Sequence, residues 1–132
     1  MNKYELIYVI DTAMEETARN ELIARFITRT SHPSYYAFVL DGETTLGEYW
    51  ESNPRSHCHD MMGHIIEWYY NGMAGLKILE PGFRKIRISP WLPEGMHELH
   101  MTYHSPFGPI TIDAENRQGR LIYQYQVPKD IE

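Results

Sequence analysis

Pro81-Gly82-Phe83-Arg84-Lys85-Ile86-Arg87-Ile88-Ser89-Pro90 is the stretch where the chain changes its period. Ile86 and Ile88 alternate with Lys85, Arg87 and Ser89, as in a strand with one buried face, and Pro90 stops it. Before this stretch the apolar spacing is helical. Met62, Ile65, Ile66, Tyr69 and Met73 predict a helix over 59–76, with Gly72 and Gly75 near its end. After it the alternation persists. Leu99, Met101 and Tyr103 form one run, Ile110 and Ile112 a second, and Leu121, Tyr123, Tyr125 and Val127 a third. Ser105-Pro106-Phe107-Gly108 and Asn116-Arg117-Gln118-Gly119 separate them as turns. Four short strands with turn signals between them predict an antiparallel sheet or part of a sandwich.

The N-terminal third reads differently again. Tyr4, Leu6, Tyr8 and Ile10 alternate with their neighbours and predict a strand. Asp11 and Thr12 punctuate it, and Ala13 to Arg29 is rich in helix formers, with Ala18, Leu22, Ile23, Phe26 and Ile27 on one predicted face. Between Thr30 and Arg55 the pattern is irregular: a loop at 31–34, a short apolar run from Tyr35 to Leu40, and a turn at Asp41-Gly42. Glu43 to Trp50 reads as a short helix or an irregular segment.

Size and composition bound the function. The 132 residues amount to one domain's worth, too few for a large catalytic barrel with an accessory domain. The formal net charge of −6 removes the electrostatic term that dominates nucleic-acid affinity, so a nucleic-acid partner is disfavoured. A single cysteine, Cys58, rules out an intrachain disulfide. No apolar run approaches the length of a membrane span, and the Leu6–Ile10 run is too short for a secretory signal. These features predict a cytoplasmic chain without membrane association.

Three sets of side chains carry candidate chemistry. His57, Cys58, His59 and Asp60, with His64 four residues further on, contain the ligand types of a transition-metal site, but their spacing fits no standard zinc pattern. Ordinary polar or substrate-facing roles compete with that reading. Glu43, Glu48, Glu51 and Glu67 form a carboxylate set, and glycoside hydrolysis uses two carboxyls, one as acid and one as base or nucleophile. Glu48 lies among Leu46, Tyr49 and Trp50, an environment able to tune its ionisation. An ordinary solvated glutamate is the competing reading. His97, His100 and His104 belong to the strand region, where a polar, solvated face is expected. Nothing resembles a phosphate loop, a nucleotide fingerprint or a serine elbow, and neither a cofactor nor a metal is called for.

Six segments, in order, resemble one family. Thr28-Arg29-Thr30-Ser31-His32-Pro33-Ser34-Tyr35 is similar to "LTRTDYPSWGY". Gly42-Glu43-Thr44-Thr45-Leu46-Gly47-Glu48-Tyr49-Trp50 is similar to "GATTLWE-W". Ser56-His57-Cys58-His59-Asp60-Met61-Met62-Gly63 is similar to "S-x-N-H-x-x-F/M-G". Glu67-Trp68-Tyr69-Tyr70 with Met73-Ala74-Gly75-Leu76 is similar to "EWFYKYLAGI". The 81–90 stretch is similar to "PGFKKIRIRP", and Tyr103-His104-Ser105-Pro106-Phe107-Gly108 to "YDSPYG". These are motifs of the bacterial α-L-rhamnosidases, a glycoside hydrolase family. The family's base is the glutamate of its "TTLWE" motif, and its "NH" histidine contacts the sugar.

The resemblance implies an α+β organisation: a strand–helix leader over 1–27, the last elements of an (α/α)6 six-hairpin barrel over 28–80, and part of a C-terminal antiparallel β-sandwich over 81–132. It implies hydrolysis of terminal α-L-rhamnosides with inversion, in which a carboxylate activates water and a carboxylic acid roughly 6.5–9.5 Å away protonates the leaving oxygen. Glu48 is then the catalytic base, with His59, Tyr35 and Trp50 as substrate-binding residues. The substrate class is a rhamnose-containing carbohydrate.

Two features depart from the pattern. Gly47 stands where a large aromatic residue precedes the base, and the loop from Glu48 to His59 is short. The family's general acid lies on barrel elements upstream of these motifs, so the reading expects a fragment that supplies only the base side and is inactive alone. It also expects self-association through apolar helix faces left without barrel neighbours. Residues 1–26 resemble something else, the start of bacterial small-subunit ribosomal protein six, which binds RNA. A non-enzymatic binding module, or a ribosomal-protein-like RNA-binding chain, is therefore the alternative.

Overall fold

The computed structural model describes residues 15–50 and 56–132. The strand expected at Tyr4–Ile10, and the Asp11–Thr12 punctuation after it, lie outside the described residues. The chain divides into two compact units, Met1–Met62 and Gly63–Glu132. Helices and antiparallel sheets occupy separate stretches of sequence, an α+β arrangement.

The first unit contains helix α1, Glu16–Thr28, and helix α2, Tyr35–Leu40. Glu16 in the first turn and Arg25 in the last suit the charge that aligned peptide dipoles place at helix ends. The buried face of α1 differs from the expected one: Asn20 and Ala24 lie deepest, Ile23, Phe26 and Ile27 are half-buried, and Leu22 is 43% exposed. The buried stripe is thus rotated toward Asn20, a polar residue that no hydrophobic periodicity selects.

Ser34 fixes the entry to α2. Its hydroxyl accepts from the Tyr36 N–H at 3.1 Å and donates to the Ile27 carbonyl at 3.3 Å, which ties the start of α2 to the end of α1. The core of this unit is aromatic. Phe38, Trp50 and Met62 are buried, with Phe26, Tyr35 and Leu46 packed against them. The Trp50 ring lies 4.9 Å from Phe26 and 5.2 Å from Tyr35, both edge-on, and stacks on Phe38 at 5.6 Å.

The helix expected over 59–76 is not continuous. A tight 3-10 turn at Asp60–His64 leads to α3, Ile65–Trp68, and then to a wide π turn, Tyr69–Met73. Met62, Trp68 and Met73 are buried while Ile66 and Tyr69 are exposed. Their spacing of six and then five residues does not fit a 3.6-residue repeat, and the change of helical type accommodates it.

The second unit continues with two antiparallel sheets. Strands β1 (Leu76–Glu80) and β2 (Lys85–Ile88) pair with Leu76 opposite Ile88 and Ile78 opposite Ile86. Strands β3 (Glu98–Ser105), β4 (Gly108–Arg117) and β5 (Arg120–Gln126) form a meander in that order. All four expected strands are present, together with β1, which the sequence reading missed. The expected turns at 105–108 and 116–119 join β3 to β4 and β4 to β5.

Met101 pairs with Ile112, and Tyr103 with Ile110, so one face of β3 and β4 is apolar. That face joins Ala74, Leu76 and Ile131 in the core, with Phe83, Ile86 and Ile88 packed against it. The other face carries His100, Thr102 and His104 and is exposed on β3, as the alternation predicts.

Gly75 is the tightest point of this unit. It has φ +68°, and a Cβ there would lie 1.9 Å from the Ser89 carbonyl oxygen, whose own N–H donates to the Gly75 carbonyl. Backbone, not a flexible side chain, blocks the space. Gly75→Ala is therefore expected to destabilise the fold by about 2–4 kcal/mol, combining positive-φ strain with a backbone clash. Chemical denaturation followed by circular dichroism measures this, and an unchanged midpoint would contradict the packing described.

Candidate functional site

The two segments that carry the candidate chemistry are laced together. The Glu48 N–H donates to the Ser56 carbonyl at 2.9 Å, and the His59 N–H donates to the Leu46 carbonyl at 2.8 Å. The Thr45 hydroxyl donates to the His57 carbonyl. Residues 45–48 thus run antiparallel beside 56–59, though neither forms a regular strand. Of the two readings left open for Glu43–Trp50, the irregular segment is the one found. Glu48 and His59 are both half-buried, so neither is sealed in the core nor fully solvated.

The other two predicted residues stand on the aromatic core. Tyr35, in the first turn of α2, donates its hydroxyl to the Met62 carbonyl at 2.8 Å. The Met62 N–H in turn donates to the His59 carbonyl at 3.4 Å, so Tyr35 is linked to the histidine segment through one residue. Trp50 is only 2% exposed and enclosed by Phe26, Tyr35 and Phe38. It offers no open ring face. Among the described residues its indole nitrogen has no hydrogen-bond partner, nor does His32 Nδ1.

Gly47 explains how the segment packs without an aromatic residue before Glu48. A Cβ at this position would lie 3.3 Å from the Tyr49 carbonyl oxygen and 3.6 Å from the Phe38 ring. The Tyr49 carbonyl is the tight contact, and the Phe38 ring is at ordinary van der Waals distance.

Sequence reasoning named Glu43 and His57 separately and missed their contact. His57 Nδ1 lies 3.1 Å from Glu43 Oε2. Spacing along the chain gives no hint of it, because the pair forms only when the two segments run side by side. Among the described residues no three His, Cys, Asp or Glu side chains converge to hold a metal, and Cys58 is an exposed free thiol. No helix of the described residues is long and apolar enough to cross a membrane.

The histidines of the strand region behave partly as expected. His100 and His104 are exposed, but His100 is not simply solvated: its Nδ1 lies 2.7 Å from Asp113 Oδ1 on the neighbouring strand. Gln124 donates to the other Asp113 oxygen at 3.4 Å. The hydrogen bond to Asp113 raises the His100 pKa above its ordinary 6.5, and the same bond lowers the Asp113 pKa below its ordinary 3.8.

The described residues thus define an α+β chain in which a glutamate-bearing segment is hydrogen-bonded along a histidine-bearing one, over an aromatic core. Comparison with known proteins shows where such a chain belongs. Residues 7–73 match the bacterial alpha-L-rhamnosidase 6 hairpin glycosidase domain, and residues 75–132 match the bacterial alpha-L-rhamnosidase C-terminal domain. The chain belongs to the bacterial α-L-rhamnosidase family. The match begins at residue 7, so most of the stretch whose opening resembles a ribosomal protein falls within the family's own domain.

An alpha-L-rhamnosidase of Alteromonas sp. (strain LOR) is 30% identical over 109 residues, covering 75% of this chain and 12% of the relative. One from Formosa agariphila is 25% identical over 130 residues, covering 91% of this chain and 14% of the relative. The chain therefore spans about an eighth of the length of these relatives. The solved structure of alpha-L-rhamnosidase from Dictyoglumus thermophilum superposes with a TM-score of 0.77 at 25% identity, over 84% of this chain and 13% of that one. That of Streptomyces avermitilis alpha-L-rhamnosidase, complexed with L-rhamnose, superposes with a TM-score of 0.79 at 24% identity, over 88% and 12%.

The His100–Asp113 pair has a definite pH window. Its stabilising contribution is full below the ordinary His value and is lost as pH rises through the raised His100 pKa. At the acid end it is full above the ordinary Asp value and is lost as pH falls through the lowered Asp113 pKa. An NMR titration is expected to show the His100 midpoint above 6.5, and Asp113→Asn to bring it down. A midpoint that Asp113→Asn leaves unmoved would contradict the pairing.

Proposed function

We propose that this chain carries the base side of an inverting α-L-rhamnosidase site. In this reading Glu48 takes the proton of the water that attacks the anomeric carbon, while His59 and Tyr35 hold the sugar. Trp50 acts from beneath, by fixing the Tyr35 ring that packs against it. The general acid comes from barrel elements outside the segment that this chain matches. Residues 28–80 correspond to the end of an (α/α)6 barrel and 81–132 to part of a β-sandwich, with β1 grouped with the sheets that follow it.

The observation that carries this reading is the pair of main-chain hydrogen bonds from Glu48 to Ser56 and from His59 to Leu46. A base that activates water needs a carboxylate fixed in position relative to the sugar, and a sugar-binding histidine on the adjoining segment supplies that reference. The relatives' names support the sugar: each is an alpha-L-rhamnosidase. Exposed apolar side chains on α1 and α2, Leu22, Val39 and Leu40, support self-association.

Calorimetric titration with L-rhamnose tests the reading. The chain is expected to bind the sugar, and Glu48→Gln to weaken binding by about tenfold, the loss of one charge-assisted hydrogen bond. No heat of binding to the wild-type chain would contradict the sugar site. Hydrolysis of an aryl α-L-rhamnoside by this chain alone would contradict the assignment of only the base side to it.

A further inference from the structure

The Glu43–His57 contact lies outside every role assigned so far. Neither residue is among the positions that the family motifs carry over as base or sugar contact. Yet the pair ties a residue just before the 45–48 strip to the 56–59 strip. Glu43 Oε2 lies 3.1 Å from His57 Nδ1, with the two side chains 22% and 49% exposed. Two residues along, the Thr45 hydroxyl donates to the main-chain carbonyl of the same His57. His57 is therefore held twice by the glutamate segment, once through its ring and once through its backbone. The residues on either side of it carry the remaining ties: Ser56 accepts from Glu48, and His59 donates to Leu46.

We propose that Glu43 and His57 are a positioning pair, a side-chain clasp that sets the register of the Glu48 segment against the His59 segment. The inference rests on the proposed function for its consequence, and on geometry alone for the clasp. Among the described residues the ladder has few main-chain bonds and no regular sheet beside it to enforce its register. A one-residue slip would move Glu48 relative to His59, so a contact that specifies the register has leverage on the site. The carboxylate accepts from the ring N–H at Nδ1, which fixes the ring's orientation and leaves Nε2 pointing away from Glu43. An exposed pair of this kind contributes little to global stability, so its effect falls on local placement.

The test uses the whole chain and two readouts. In Glu43→Ala and in His57→Ala, the amide signals of Glu48 and His59 are expected to shift, while those of the buried Ala24 and Ala37 in the same unit stay in place and report an intact fold. L-rhamnose affinity is expected to fall about two- to fivefold in each variant. The double variant is expected to lose no more than either single one, because the two residues act as a unit. The charge swap, Glu43→His with His57→Glu, is expected to restore the Glu48 and His59 signals, which a merely structural loss would not do. Unmoved Glu48 and His59 amides, additive losses, or a swap that fails to restore them would overturn the clasp. A wild-type chain that binds no rhamnose would instead sink the functional reading, and the amide shifts would still decide the clasp.

Discussion

The candidate site depends on two main-chain hydrogen bonds, Glu48 to Ser56 and His59 to Leu46. Without them Glu48 is one of several glutamates on an irregular segment, and His59 one of several histidines in a polar run. With them the two lie on adjoining strips of backbone at a fixed register. Backbone hydrogen bonds of this kind contribute modestly to stability, about 0.5–1.5 kcal/mol each. Their larger effect is to remove conformational freedom from a segment that has no helix or strand of its own to hold it.

Beneath that ladder, the aromatic cluster makes the register worth specifying. Trp50, Phe38, Phe26 and Tyr35 present edges and faces to one another at 4.9–6.2 Å between ring centres. Leu46, on the ladder itself, packs against the same cluster. The end of the glutamate segment is thus anchored in a core, and Glu48 is two residues from the buried Trp50. Tyr35 reaches from this core to the Met62 carbonyl, so one polar contact connects α2 to the end of the histidine segment. A glycine at position 47 avoids a Cβ contact of 3.3 Å with the Tyr49 carbonyl oxygen.

Much of this was legible in the sequence, and the failures have physical causes. The period-two runs at Ile86–Ile88, Leu99–Tyr103 and Ile110–Ile112 became strands because a sheet with one buried face imposes that alternation, and the Leu121–Val127 run became β5, which pairs with β4 although it is exposed along its length. β1 was missed because Leu76 was assigned to the helix over 59–76, which left Ile78 and Leu79 as two adjacent apolar residues without alternation. Its partner β2 supplies the pairing that the segment's own pattern does not announce. The 59–76 helix was read as continuous because a hydrophobic count tolerates drift, whereas the buried side chains fall at intervals only a mixture of 3-10, α and π turns can serve.

For the site, motif order carried further than residue chemistry. Composition could not separate Glu48 from Glu43, Glu51 or Glu67, and Trp50, which the resemblance implies as a substrate-binding residue, is buried. The Glu43–His57 pair was invisible because it is a tertiary contact across 14 residues. The central claim, that the glutamate and histidine segments run side by side in one register, is most directly tested by nuclear Overhauser contacts between their backbone protons. The account predicts cross-segment contacts linking Leu46 with His59 and Glu48 with Ser56, together with slowed amide exchange at Glu48 and His59. Freely exchanging amides at both positions, with no such contacts in a folded chain, would contradict it.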